Sequence, residues 1–129
     1  MTPSPSFLSR AVSFSRQRRT ASHTAILFRN GRIVEWAQND EKKTKPVCSR
    51  LGFPYATIHA EVAVVLKFLR SHTLTQLSGL KLLVLRFRFN GAALGPSRPC
   101  VNCRKYLSTL PLRGVFWIDE GGRTCVETL

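Results

Sequence analysis

Apolar residues fall along this chain in short blocks whose period changes from one block to the next. In PSFLSRAVSFS, Phe7, Leu8, Ala11, Val12 and Phe14 are spaced so that most share one helix face after the TPSPS opening, which predicts a first helix packed on a sheet. HTAILFRNGRIVEWA then reads as two strands of β-branched and aromatic residues around Asn30 and Gly31. That dipeptide suits a type I′ hairpin turn, in which both central residues need positive φ. Residues 38–57 carry two prolines and a glycine among basic residues with no period, and predict a long loop of the kind that is often functional. IHAEVAVVLKFLR places Val62, Val65, Leu66 and Leu69 at helical spacing, so a helix is expected to start near His59.

GLKLLVLRFRF contains a continuous apolar run, Leu82 to Leu85, as expected of a strand covered by helices on both faces. NGAALGPSRP reads as a second loop, followed by a helix from about Cys100 to Leu110 between Pro99 and Pro111. GVFWIDEGGRTCVETL reads as a strand, a Gly-Gly turn and a short second strand, with no room for a helix between them. The order is helix, hairpin, helix, strand, helix, hairpin. It predicts a three-layer α/β/α fold on a mixed five-stranded sheet, with an N-terminal hairpin and an antiparallel C-terminal hairpin.

The 129 residues fit one domain, 1–129, with residues 1–20 a basic N-terminal segment forming the first helix. That opening, rich in Ser and Arg, also has the composition of an organellar transit peptide. The longest apolar runs are far too short to cross a bilayer, so no membrane partner is expected and an intracellular place, cytoplasmic or nuclear, is. Four cysteines are too sparse for a secreted disulfide scaffold, and reduced thiols are expected. The charge balance changes the picture most: 20 Lys and Arg stand against 7 Asp and Glu, a formal net charge of +13. Such a field attracts polyanions through counterion release without specifying any chemistry.

Two loop-to-helix junctions carry the candidate chemistry. SRPCVNC places Cys100 and Cys103 three residues apart at a helix start, where both sulfurs share a face. Alone, such a pair could be a redox couple, half a metal site or two core thiols. TIHAEV places His59 and Glu61 at the start of the preceding helix; alone, that pair would more often be a cap or a surface pair. Together they supply one imidazole and two thiolates, a donor set that selects zinc, one ion per chain, and leaves a fourth tetrahedral position open. The helix starts are expected to lower the thiol pKa values. Glu61 is left as a proton carrier beside water that the metal would acidify. Cys48 and Cys125 are read as inert thiols, and His23 and His72 as structural or exposed.

H-x-E followed by P-C-x-x-C is the signature of zinc nucleobase deaminases. On these motifs, and on the hairpin and strand around them from His23 to Glu127, the chain resembles the cytidine deaminase superfamily. QNDEKKTKP before FPYATIHAE is similar to the deoxycytidylate deaminase-like branch. The resemblance implies the cytidine deaminase-like fold, with zinc on His59, Cys100 and Cys103 and Glu61 carrying protons between water, ring and departing ammonia. It also implies that Asn39 contacts sugar or base, that the Ala60 N–H reaches the base carbonyl, and that a carbonyl near Ser97 receives the exocyclic amine. Arg98 joins them as a phosphate candidate. Ala-Gln before Asn39 and Lys45 depart from that branch's pattern.

The antiparallel ending is similar to the free-nucleoside branch, whereas the charge around the pocket suits phosphate contact. The expected activity is hydrolytic conversion of cytosine to uracil in single-stranded nucleic acid or nucleotides. Deamination of free cytidine or deoxycytidine is the alternative within enzymes. A basic nucleic-acid-binding module with structural zinc is the alternative outside them. A homo-oligomer is left open, since relatives often build the pocket between subunits.

Overall fold

In the computed structural model, residues 2–44, 50, 57–88 and 93–127 are described. Helix α1 (Pro5–Gln17) is followed by strands β1 (His23–Arg29), β2 (Arg32–Gln38), β3 (Asp40–Thr44) and β4 (Thr57–Ile58). Then come α2 (Ala60–Leu69), the single-turn α3 (Leu74–Leu77), β5 (Lys81–Arg88), β6 (Ala93–Gly95), α4 (Val101–Leu107), β7 (Gly114–Ile118) and β8 (Thr124–Glu127). The main sheet runs β2-β1-β5-β7-β8, with β6 also paired to β5, and every pairing is antiparallel except β5 with β7.

The alternation of side chains along the central strands splits the core between two faces. Ala25, Leu27, Leu82, Val84 and Val115 point to one side and bury against Ala60, Val64, Val65 and Phe68 of α2, with Leu77 of α3 and Leu107 of α4. Ile26, Phe28, Leu83, Leu85, Phe116 and Ile118 point to the other and bury against Phe7 and Ala11 of α1. Leu82 to Leu85 are all inaccessible to solvent, which is what a strand covered on both faces requires. The expected three layers are therefore present. α1 is held at its start by the Ser4 hydroxyl, which accepts the Phe7 N–H at 3.1 Å. The hairpin turn is of the expected kind, with φ of 51° at Asn30 and 72° at Gly31.

Three features correct the sequence expectation. The main sheet has six strands, not five, because β6 forms inside the stretch read as the loop NGAALGPSRP. Part of the long loop 38–57 is also ordered, since β3 pairs with β4, Asp40 lying opposite Ile58. The last helix is shorter than expected, ending at Leu107 with Ser108 as its cap. The remainder of the long loop, including Lys45, Cys48, Phe53 and Tyr55, lies outside the described residues, as does Phe89. Phe87 is buried in the core with Phe7 and Ala11 of α1. Among the described residues, no helix is long and apolar enough to cross a membrane.

Candidate functional site

The β3–β4 ladder brings the first half of the site together. Asp40 pairs with Ile58 in antiparallel register, so the residues just beyond that pair, Asn39 and His59, flank the same end of the ladder. His59 is the N-cap of α2 in extended conformation, but its side chain makes no capping hydrogen bond. Its imidazole is instead directed at α4, where Cys100 is the N-cap and Cys103 lies in the first turn. The Cys100 Sγ accepts the Cys103 N–H at 3.5 Å, so one sulfur caps the helix that carries the other.

His59 Nδ1 lies 3.7 Å from Cys100 Sγ and 3.5 Å from Cys103 Sγ. All three ligand atoms fall within 4.8 Å of one another. A tetrahedral zinc with bonds of about 2.3 Å to sulfur and 2.0 Å to nitrogen requires ligand separations of roughly 3.5–3.8 Å. The cluster fits a metal ion of this kind with little movement. Cys103 is fully buried against Ile58 and Val62, while Cys100 and His59 are partly exposed. None of Cys100, Cys103 and Cys125 is in a disulfide.

Burial pushes the Cys103 thiol far above the ordinary range, and the neighbouring Glu61 and Cys100 charges push it further. The lowering expected from the helix start is outweighed, because removing a thiolate from water costs more than one short helix terminus returns. A cation between the sulfurs would reverse that balance, since metal coordination deprotonates a thiol outright. Glu61 is likewise buried, 4% exposed, and burial raises its pKa against the opposing hydrogen bonds of its own backbone and of Cys103. A carboxyl group beside three metal-ligating atoms, with its proton held more tightly than usual, is suited to proton transfer.

A pocket of about 320 Å³ opens against this cluster. His59, Glu61 and Cys100 form its floor side, with Ala60 between them; Asn39, His23 and Arg98 complete the lining. Ala60 is the first residue of α2, and N–H groups of a first helical turn have no intrahelical acceptor. Asn39 is oriented by β1: its Oδ1 accepts the His23 N–H at 2.9 Å, and its own N–H donates to the His23 carbonyl at 3.3 Å. Seven of the eight residues singled out from the sequence meet here, Cys103 from beneath and the other six in the lining.

Ser97 is the exception. It is 2% exposed, its hydroxyl donates to the Val84 carbonyl at 2.7 Å and accepts the Ile118 N–H at 2.8 Å, and it is not in the lining. Its side chain ties β5 to β7 and so fixes where the Arg98-Pro99-Cys100 segment leaves the sheet.

His23, read from the sequence as structural or exposed, lines the pocket, and no motif marks it. Its position as the first residue of β1, in register with Arg86 of β5, is set by strand pairing. Glu127 was missed. Arg98 forms a bidentate pair with it, Nε to Oε2 at 3.1 Å and Nη2 to Oε1 at 3.0 Å, and Arg104 Nε lies 3.5 Å from the same carboxylate. The Arg98 hydrogen bonds hold Glu127 below the usual carboxylate range; burial opposes them, and the charges of Arg98 and Arg104 add to the lowering.

A group with a depressed folded pKa contributes stability above its unfolded value, about 4.3 for Glu, and loses it as pH falls through the folded value. Thermal denaturation in the presence of EDTA should therefore show Glu127→Gln less stable than the wild type at pH 6. The gap should close progressively below about pH 4; an unchanged gap at pH 3 would contradict this assignment.

No protein-family model matches the chain, and no curated protein matches it.

Proposed function

We propose that this chain is a zinc-dependent hydrolytic deaminase of the cytidine deaminase-like fold, converting cytosine to uracil in single-stranded nucleic acid or nucleotides. The observation that carries the reading is a buried carboxyl group, Glu61, sharing one pocket with a His-Cys-Cys cluster of metal-ligand dimensions. His59, Cys100 and Cys103 would hold the zinc, which would supply the Lewis acidity that makes water a nucleophile at neutral pH.

The chain's own groups then do the following. Glu61 takes a proton from the attacking water and delivers it to the ring nitrogen adjacent to the reacting carbon. As the carbon–nitrogen bond breaks, the carboxylate takes the proton of the hydroxyl now on that carbon and passes it to the leaving amine, so that a carbonyl and ammonia form. Water and cytosine thus become uracil and ammonia, with Glu61 restored. Asn39, fixed by its two hydrogen bonds to His23, and the first-turn N–H of Ala60 orient the nucleoside.

The phosphate-bearing substrate is favoured by the cations gathered at this end of the sheet. Arg86 is in register with the pocket residue His23, Arg98 lines the pocket, and Arg16 of α1 lies over the ring of Phe87. The antiparallel β8 favours the second reading, a deaminase of free cytidine or deoxycytidine, because the free-nucleoside branch that the chain resembles ends in this way. A purely structural zinc gives no role to a buried carboxyl group at an open coordination site.

The test compares turnover of deoxycytidine, deoxycytidine monophosphate and a cytosine-containing single-stranded oligonucleotide at graded salt. The proposed substrate class requires faster turnover of the phosphorylated forms, declining as salt rises. Equal turnover of free deoxycytidine at all salt concentrations, with none on the oligonucleotide, would select the second reading.

A further inference from the structure

At the rim of the pocket, two guanidinium groups converge on one carboxylate. Glu127, on the last described strand, has a side chain only 8% exposed, whereas Arg98 is 54% exposed. A surface pair of this kind usually contributes little and orders its long side chains loosely. Here the carboxylate is sheltered, the pairing is a two-point fork, and the Arg98 guanidinium also lies 5.6 Å from the centre of the Trp117 ring. Arg104 braces the arrangement from the other side: its Nη1 donates to the Pro99 carbonyl at 2.8 Å while its Nε faces Glu127. The arginine is thus held in one orientation by residues of β7, β8 and α4.

Two cations on one anion leave the cluster with a net positive charge. The fork uses two of the five N–H donors of the Arg98 guanidinium, and the hydrogen bonds among the described residues leave three. A planar donor edge held rigid beside a nucleoside-sized cavity matches a phosphate group, which guanidinium recognises through parallel charge-assisted hydrogen bonds. We propose that Arg98 is the phosphate contact of this pocket, and that Glu127, with Arg104 and Trp117, positions it, so that the end of the chain selects a cytosine nucleotide unit over the free nucleoside. This rests on the deaminase reading for the identity of the base, but the phosphate preference stands apart from turnover.

The experiment measures binding to the zinc-loaded full chain by calorimetry, with deoxycytidine, its 5′-monophosphate and a trinucleotide with central cytosine as probes. The wild type is expected to bind the monophosphate at least about tenfold more tightly than the nucleoside, the range that one charge-assisted contact of this type supplies. In Arg98→Ala that ratio should fall to near one. In Glu127→Gln it should fall several-fold while the circular dichroism spectrum is retained, and Arg98→Lys should not restore it because an ammonium cannot make the fork.

A monophosphate preference that exceeds the trinucleotide's identifies a terminal phosphate as the ligand; the reverse identifies an internal phosphodiester. A wild-type ratio near one, or a ratio unchanged in Arg98→Ala, overturns the proposal. Absence of ammonia release alongside a phosphate preference that depends on Arg98 would overturn the deaminase reading and leave this one standing.

Discussion

Glu61→Gln is expected to retain one equivalent of zinc and the native fold while lowering ammonia release by at least about 10²–10⁴-fold. The substitution keeps the volume and most of the polar contacts of a side chain that is 4% exposed, so packing is largely preserved. The amide can neither carry the water proton to the ring nitrogen nor pass a proton to the leaving amine, and both proton transfers are lost together. Zinc content by mass spectrometry and ammonia release by a coupled assay check the two halves. Loss of the metal with the activity would show that Glu61 is a ligand, contrary to its assignment as a proton carrier.

The second large effect concerns the metal itself. Cys100→Ser should abolish stoichiometric zinc binding and lower the thermal midpoint to that of the EDTA-treated wild type. His59 starts α2 and the two cysteines start α4, so an ion bound between them joins two helices through their first turns. A ligand that binds only the folded chain stabilises it by about 4 kcal/mol when present at a thousandfold excess over its dissociation constant. EDTA should therefore destabilise the wild type by several kcal/mol and leave Cys100→Ser unmoved. Cys100 is the better position to test than Cys103, whose complete burial adds a packing cost unrelated to metal. A variant that still responds to EDTA would contradict the three-ligand assignment.

How much of this was legible in the sequence follows from which residues act locally. The hairpin could be read because Asn30 and Gly31 answer a purely local demand for positive φ. The covered strand could be read because Leu82 to Leu85 leave no polar face. Cys100 and Cys103 could be paired because a spacing of three at a helix start puts both on one face, and His59 was joined to them by the pattern H-x-E and P-C-x-x-C. The extra strand β6 could not, because Ala93 to Gly95 have neither alternation nor β-branched residues and join the sheet through pairing with Arg86 to Arg88, distant in local pattern, with Leu94 packed on the core. β3 was equally hidden, since a run of charged residues has low strand propensity and its register is given by Ile58, far along the chain.

The pocket rim was the least legible part. Asn39 was named from resemblance and Arg98 from the charge flanking the cysteine pair, but the groups that orient them, His23 and Glu127, come from other strands with no motif of their own. Ser97 was named for a carbonyl near it, and its side chain serves the sheet. Motifs identify the groups that do chemistry; the strand order decides which neighbours aim them.

The central claim is that the His-Cys-Cys cluster and Glu61 form a hydrolytic deaminase site. It is tested most directly by incubating the zinc-loaded chain with deoxycytidine, its monophosphate and a cytosine-containing oligonucleotide, and quantifying uracil by mass. Uracil forming with an equal yield of ammonia on at least one substrate, and lost in Glu61→Gln, is the predicted result. One equivalent of zinc bound with no uracil from any of the three would contradict it.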